Sequence, residues 1–182
     1  MRKLSHQELV FRQEQKNGAS VLPFVFVLND IRSGYNVGSI FRTADGAGVA
    51  KIFLCGITGY PPNQLISKTA LGAEQRVPWE HERDVRVVVR RLRQEGYEIV
   101  LLEQMESSVL YQDYHPKRPV CLVVGNEISG VSETILADCD QAIEIEMAGL
   151  KNSLNVAVAA GIAAYHIRNE LQKRLSGITA KI

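Results

Sequence analysis

The stretch Pro119–Ser132, PVCLVVGNEISGVS, decides how the chain is read. The run Val120–Val124 is short, rich in β-branched residues and bounded by Pro119 and Gly125. That pattern predicts a buried strand, not a helix. Gly125 and Gly130 then mark a turn, and Ser132 stands where the N-cap of a following helix is expected. A strand that passes through a glycine turn into a helix is the unit on which α/β proteins bind nucleotides. The usual phosphate signatures are nevertheless missing. Gly125 and Gly130 have the glycine spacing of a P-loop, but Val131 stands where its lysine is needed. No strand is followed by Gly-x-Gly-x-x-Gly, and no Gly-x-Ser-x-Gly elbow occurs.

Outward from this stretch the rhythm repeats. Strands are predicted at 24–28 (FVFVL), 51–56 (KIFLCG), 97–103 (YEIVLLE) and 141–147 (QAIEIEM). Helices are predicted at 36–46, 63–72, 82–95 and 153–175, with a short one at 132–138. The segment 76–79 (RVPW) reads as an edge strand, because Pro78 cannot donate to a central ladder. Strands alternating with helices predict an α/β fold, a mostly parallel sheet with helices on both faces. Residues 1–20 are polar and read as a helical extension, leaving 21–182 as the domain.

Bulk properties narrow the function classes. A chain of 182 residues with 46% hydrophobic content supports one domain with a sizeable core. A net charge of +1 gives no global field for nucleic acid, so such binding requires a local patch. No apolar run is long enough to span a bilayer, and the first twenty residues lack the apolar region of a signal peptide. Three scattered cysteines, Cys55, Cys121 and Cys139, argue against a disulfide framework and for a cytoplasmic protein. The four histidines show no metal-ligand spacing, so no metal is expected.

Two further stretches carry unexpected polar residues. In NDIRSGYNVGSIFRTADGAG (29–48), Asn36 opens a helix on which Gly38 and Arg42 share a face. A glycine there permits close approach to the backbone, beside which Arg42 is placed; a plain surface arginine on a capped helix is the simpler reading. In MAGLKNSLNVAVAAGIAAYHI (147–167), Ser153 and Asn155 open a helix that continues with small apolar residues and is expected to be buried. Ser153 as its N-cap is the simpler reading there.

Together the three stretches resemble the SpoU (TrmH-type) family of RNA ribose 2′-O-methyltransferases, within the SPOUT superfamily. Asn36, Gly38 and Arg42 match the family's first motif, Gly125, Glu127 and Gly130 its second, and Ile145, Met147, Gly149, Ser153, Leu154, Asn155 and Val156 its third. Glu146 departs from the family's usual proline. The resemblance spans about residues 23–170 and is to the minimal, catalytic-domain form.

The resemblance implies a C-terminal deep trefoil knot, which sequence patterning alone would never propose. It implies S-adenosylmethionine as cofactor, held by Leu102, Gly125, Asn126, Ile145, Met147, Ser153 and Leu154. A nucleoside without phosphate needs no phosphate loop. It implies an RNA substrate, transfer or ribosomal, and a homodimer in which motif-one residues are shared between subunits. Arg42, Asn36, Glu127, Ser153 and Asn155 are the implied catalytic set. A guanidinium stays protonated, so Arg42 suits the substrate phosphate and developing alkoxide charge better than the role of base. Glu127 is expected either to face the sulfonium or to anchor the Asn36 helix. For gripping RNA, Arg83, Arg86, Arg90 and Arg93 form one helical stripe, with a solvated face as the simpler reading. Arg2, Lys3, Arg12 and Lys16 are a second basic cluster.

Overall fold

The computed structural model describes residues 1–15 and 21–179. In chain order these form α1 (His6–Glu14), β1 (Leu22–Asn29), α2 (Gly34–Ala47), β2 (Val49–Cys55), α3 (Gln64–Ala70), β3 (Trp79–Glu82), α4 (Val85–Gln94), β4 (Glu98–Leu102), β5 (Val109–Leu110), β6 (Val120–Val124), β7 (Gln141–Glu144) and α5 (Val156–Thr179). The seven strands make one sheet of order β3-β2-β1-β6-β4-β7-β5. Every pairing in it is parallel.

The continuous apolar strands are explained by cover on both faces. Phe24, Phe26 and Leu28 of β1, with Val120, Leu122 and Val124 of β6, pack under α2, α3 and α5. The alternate residues Val25, Val27, Cys121 and Val123 pack under α4 and the 3-10 turn Glu133–Asp138. Small residues of α5, Ala160, Ala163 and Ala164, lie fully buried in the first layer. Among the described residues no helix is long and apolar enough to cross a membrane.

Several boundaries differ from the sequence reading, each for a local reason. The edge strand lies at 79–82, three residues beyond 76–79. Pro78 contributes only its carbonyl, which accepts from Ile52 N at 2.9 Å, and laddering starts after it. Helix α2 begins at Gly34 with Ser33 as its cap, so Asn36 is inside the first turn and its side chain is released for other work. Helix α5 begins at Val156, not at 153, and Asn155, not Ser153, caps it: its Oδ1 accepts from Ala157 N at 3.0 Å and Val158 N at 3.4 Å. Strand β7 stops at Glu144, leaving Ile145–Met147 irregular. Ser132 is an N-cap as expected, but of a 3-10 turn. The two-residue β5 has too little pattern to be read in sequence. Of the N-terminal extension, His6–Glu14 is helical, and residues 16–20, with Lys16, lie outside the described residues.

Gly38 answers to packing within the chain. A Cβ there would sit 2.2 Å from the carbonyl oxygen of Ile66 and 2.2 Å from Thr69 Oγ1, so the close approach it permits is that of α3. Replacing Gly38 by Ala is expected to force α2 and α3 apart and cost about 1–3 kcal/mol, read as a lowered midpoint in urea unfolding.

Candidate functional site

The site grows from the carboxyl ends of the central strands. Leu102 ends β4, Gly125 follows β6, Glu144 ends β7 and Ile145 follows it. With the segment 152–156 they enclose a cavity of about 270 Å³. A crevice outside the carboxyl ends of parallel strands is where open α/β sheets bind ligands. All seven residues expected to hold a cofactor, Leu102, Gly125, Asn126, Ile145, Met147, Ser153 and Leu154, line this one cavity.

Its far wall is a tight hairpin. Asn126 and Gly130 exchange backbone hydrogen bonds of 2.9 and 3.0 Å. Asn126 Oδ1 accepts from the amides of Ile128 and Ser129 at 2.9 and 3.1 Å, and its Nδ2 donates to the carbonyl of Asp30 at 2.7 Å. Gly130 has φ 69°, the left-handed region that glycine tolerates. A Cβ on Gly125 would lie 2.3 Å from the Gly130 carbonyl carbon and from Val131 N. Gly125 is therefore demanded by the hairpin folding back on itself, before any ligand is considered.

Three residues that sequence reasoning passed over complete the wall. Glu103 Oε2 accepts from Val131 N at 3.1 Å and Oε1 from Gln104 N at 3.0 Å, pinning the hairpin to β4. Gln104 Nε2 donates to the carbonyl of Asn152 at 2.8 Å, tying the 152–155 segment to the same strand end. The only sequence signal was an acid and an amide directly after an apolar strand, which is also what any strand end looks like.

Polar residues of the three stretches meet in one relay at the cavity's edge. Asn155 Nδ2 donates to Asn36 Oδ1 at 3.1 Å, and Asn36 Nδ2 donates to Glu127 Oε1 at 2.9 Å. Glu127 also accepts from the backbone amides of Arg32 and Ser33 at 3.2 and 3.3 Å, just ahead of α2. Glu127 therefore anchors the Asn36 helix. Burial pushes its carboxyl up, but the hydrogen bonds from Asn36, its own amide, Arg32 and Ser33 outweigh this and hold it below the ordinary range. Ser153 lines the cavity beside this relay.

Arg42 stands apart. It is exposed on α2 and lines a separate open depression with Ser39, Thr43, Lys68, Thr69, Leu71 and Tyr165. The arginine stripe divides as well. Asp84 holds Arg86 at 2.7 Å, Asp138 Oδ2 accepts from Arg90 at 3.2 Å, and the Asp138 carbonyl accepts from Arg93 at 2.8 Å. These pairs account for three of the four side chains without a ligand. Arg83 precedes the N-cap Asp84 and is exposed, off the helix. At the N-terminus Arg2 pairs with Glu8 at 2.6 Å. Among the described residues no group of His, Cys, Asp and Glu is arranged to hold a metal ion.

Fold and site define an α/β domain with a ligand crevice at a three-way meeting of loops, and comparison with known proteins specifies it. Residues 23–165 match the model of the SpoU rRNA Methylase family, and the chain belongs to that family. It is 33% identical over 160 residues to the 23S rRNA (guanosine-2′-O-)-methyltransferase RlmB of Salmonella typhi, covering 85% of this chain and 65% of that protein. Its fold matches the TrmH/SpoU tRNA modifying enzyme of A. aeolicus with a TM-score of 0.77 at 27% identity, over 91% of this chain and 86% of that one. An AdoMet-bound rRNA methyltransferase from Sinorhizobium meliloti matches with a TM-score of 0.76 at 30% identity, over 81% and 56% of the two chains. The chain spans 61–65% of the length of such curated relatives.

The relay carries a pH dependence whose sign follows from Glu127. A carboxyl lowered in the folded state adds stability that is present above its unfolded value of about 4.3 and is lost as pH falls through the folded value. Thermal unfolding of the wild type is expected to weaken more steeply below about pH 4 than that of Glu127→Gln, whose neutral amide does not titrate. Asn155→Ala, which removes both the cap and the relay, is expected to cost about 1 kcal/mol or more at neutral pH.

Proposed function

We propose that the chain is an S-adenosylmethionine-dependent methyltransferase acting on a ribose 2′-hydroxyl of tRNA or rRNA. One observation carries the cofactor reading beyond family membership. Among the described residues lining the cavity, none is Lys, Arg or His, whereas Glu103, Glu127 and Glu144 all are present. Such a wall repels a phosphate and suits a nucleoside that bears positive charge instead. Leu102, Ile145, Met147 and Leu154 supply apolar surface for a purine, and the irregular backbone around Gly125 and Ser153 supplies amides and carbonyls to read its edge. Bound there, the cofactor supplies an electrophilic methyl group on sulfur.

The chain's own part is orientation. With the donor bound, its sulfur would leave with the bonding electrons as the methyl passes to the ribose oxygen, and the hydroxyl proton would go to water or a nearby acceptor. In-line alignment of oxygen, carbon and sulfur is a large share of such catalysis. The Asn155–Asn36–Glu127 relay ties together the loops around the cavity, and Ser153, on the cavity wall, would orient the ribose. Arg42 holds the substrate phosphate as a donor fork and stabilises alkoxide charge. It lies outside its own chain's cavity, which supports a homodimer in which Arg42 of one copy serves the cavity of the other. The trefoil knot belongs to the same reading, with the segment Ile145–Val156 passed through the connection 103–119. The Gln104–Asn152 hydrogen bond puts the two in contact. A cytoplasmic location follows from such a substrate.

Calorimetric titration with S-adenosylmethionine is expected to give one site per chain, abolished in Leu154→Trp, where a partly exposed wall residue fills the cavity. Gly125 is a poor choice for this test, since any side chain there disrupts the hairpin itself. Label transfer from the cofactor to bulk tRNA or rRNA is expected from the wild type and from neither Arg42→Ala nor Leu154→Trp. Mixing those two inactive variants is expected to restore about a quarter of the sites, through heterodimers with one intact site each. RNA binding without cofactor binding would instead define a non-catalytic RNA-binding module on this fold.

A further inference from the structure

The carboxyl rim of the sheet continues past the cavity, over β1, β2 and β3, and its chemistry changes there. The loop after β2 is locked to the loop after β1. Ile57 N donates to Asp30 Oδ1 at 2.9 Å, and buried Thr58 accepts from Ile31 N at 3.0 Å while donating to the Leu28 carbonyl at 3.1 Å. Gly56 N donates to the Glu82 carbonyl at 3.1 Å, locking the same loop to the end of β3. The three loops therefore form one firm ledge, joined to the cavity by the Arg32 and Ser33 amides on Glu127.

On this ledge stands an aromatic group. Tyr60 is 48% exposed, with its ring 4.4 Å from that of His81 and 6.1 Å from that of Trp79. Trp79 and His81 alternate on one face of the edge strand, so Tyr60 is backed by rings while keeping half its surface free. Arg32 and Arg83 flank it in sequence position, one after β1 and one after β3, and both are exposed. Among the described residues neither forms an ion pair, whereas Arg86, Arg90, Arg91 and Arg93 all do. The neighbouring acids are occupied: Asp30 by Ile57 N and Asn29 Nδ2, Glu82 by Asp84 N at 3.1 Å.

A supported aromatic ring on the middle loop, with an uncommitted guanidinium on the loop to each side, has the chemistry that single-stranded RNA requires: a base to stack and phosphates on either side. We propose that this ledge binds the RNA strand beyond the target nucleotide, with Tyr60 stacking on a base and Arg32 and Arg83 holding flanking phosphates. From β6 to β3 is three strand spacings, about 15 Å, so the strip reaches a few nucleotides from the cavity. The inference rests on the methyltransferase reading for its substrate class.

The test is fluorescence anisotropy with a fluorescein-labelled, unstructured RNA oligonucleotide across a salt series, beside calorimetry with S-adenosylmethionine. Tyr60→Leu is expected to weaken RNA binding about tenfold, and Tyr60→Phe, which keeps the ring, to stay near wild type. Arg32→Gln and Arg83→Gln are each expected to reduce the slope of log affinity against log salt by about 0.7. Cofactor affinity of Tyr60→Leu should be unchanged, which also shows that it is folded. Wild-type RNA affinity and salt slope in all four variants would overturn the ledge and leave the methyltransferase reading intact. So would a wild type that binds cofactor but no RNA. Ledge-dependent RNA binding by a wild type that binds no cofactor would support the ledge and overturn the methyltransferase reading.

Discussion

The side-chain amide of Asn36 is the constraint on which the site depends. It must accept on one end, from Asn155, and donate on the other, to Glu127. A carboxamide does both at once, on two separate atoms and without a titrating proton. An aspartate would set a second carboxylate against Glu127, and an alanine would leave Glu127 with backbone donors alone. Because Glu127 also takes the amides ahead of α2, and Asn155 caps α5, this one group fixes the mutual placement of three segments far apart in sequence. The hydrogen bonds are partly exposed and individually modest. Their value lies in registration: a shift in any one segment breaks at least one bond of the relay.

The glycines of these segments show how protein geometry and function share residues. Gly38 admits the α3 backbone, Gly125 admits the returning hairpin, and Gly130 supplies a left-handed turn over Glu103. None of these needs a ligand to explain it. A glycine beside a candidate arginine reads in sequence as space left for a substrate, and here that space is filled by the chain. The site is built by close backbone packing, and the cavity is what remains between the packed loops.

The strands were legible because cover on both faces makes them uniformly apolar, and the parallel order follows from their alternation with helices. Boundaries slipped where a polar residue had a use other than capping. Asn36 was free for the relay because Ser33 took the cap, and Ser153 lost the cap to Asn155 because the helix starts one residue after the latter. Local pattern ranks both candidates equally in each case, and tertiary bonding decides. The cavity-lining set was legible only through family resemblance. Glu103, Gln104 and Asn152 escaped because their roles lie in backbone bonds between loops, which leave no periodicity. The stripe Arg83–Arg93 was a correct helical pattern for three residues, but its fourth member belongs to the preceding loop.

Charge is segregated more sharply than the net value of +1 reveals. The cavity wall carries three glutamates and no base, each carboxylate fixed by neutral donors: Glu103 by two amides, Glu127 by Asn36 and two amides, Glu144 by the Ser108 hydroxyl. Among the described residues no lysine or arginine neutralises any of them by an ion pair. Meanwhile Arg32, Arg42 and Arg83 are exposed and uncommitted outside the cavity, and α4 spends its arginines on acids of its own neighbourhood. A methyl donor that is cationic at sulfur and an RNA that is anionic at every phosphate have opposite electrostatic needs. On the proposed function, serving both within a few strand spacings would require that the acids be locked inward by uncharged donors, so that they do not consume the arginines. The hydrogen bonds that hold the loops in register therefore also keep the two fields apart.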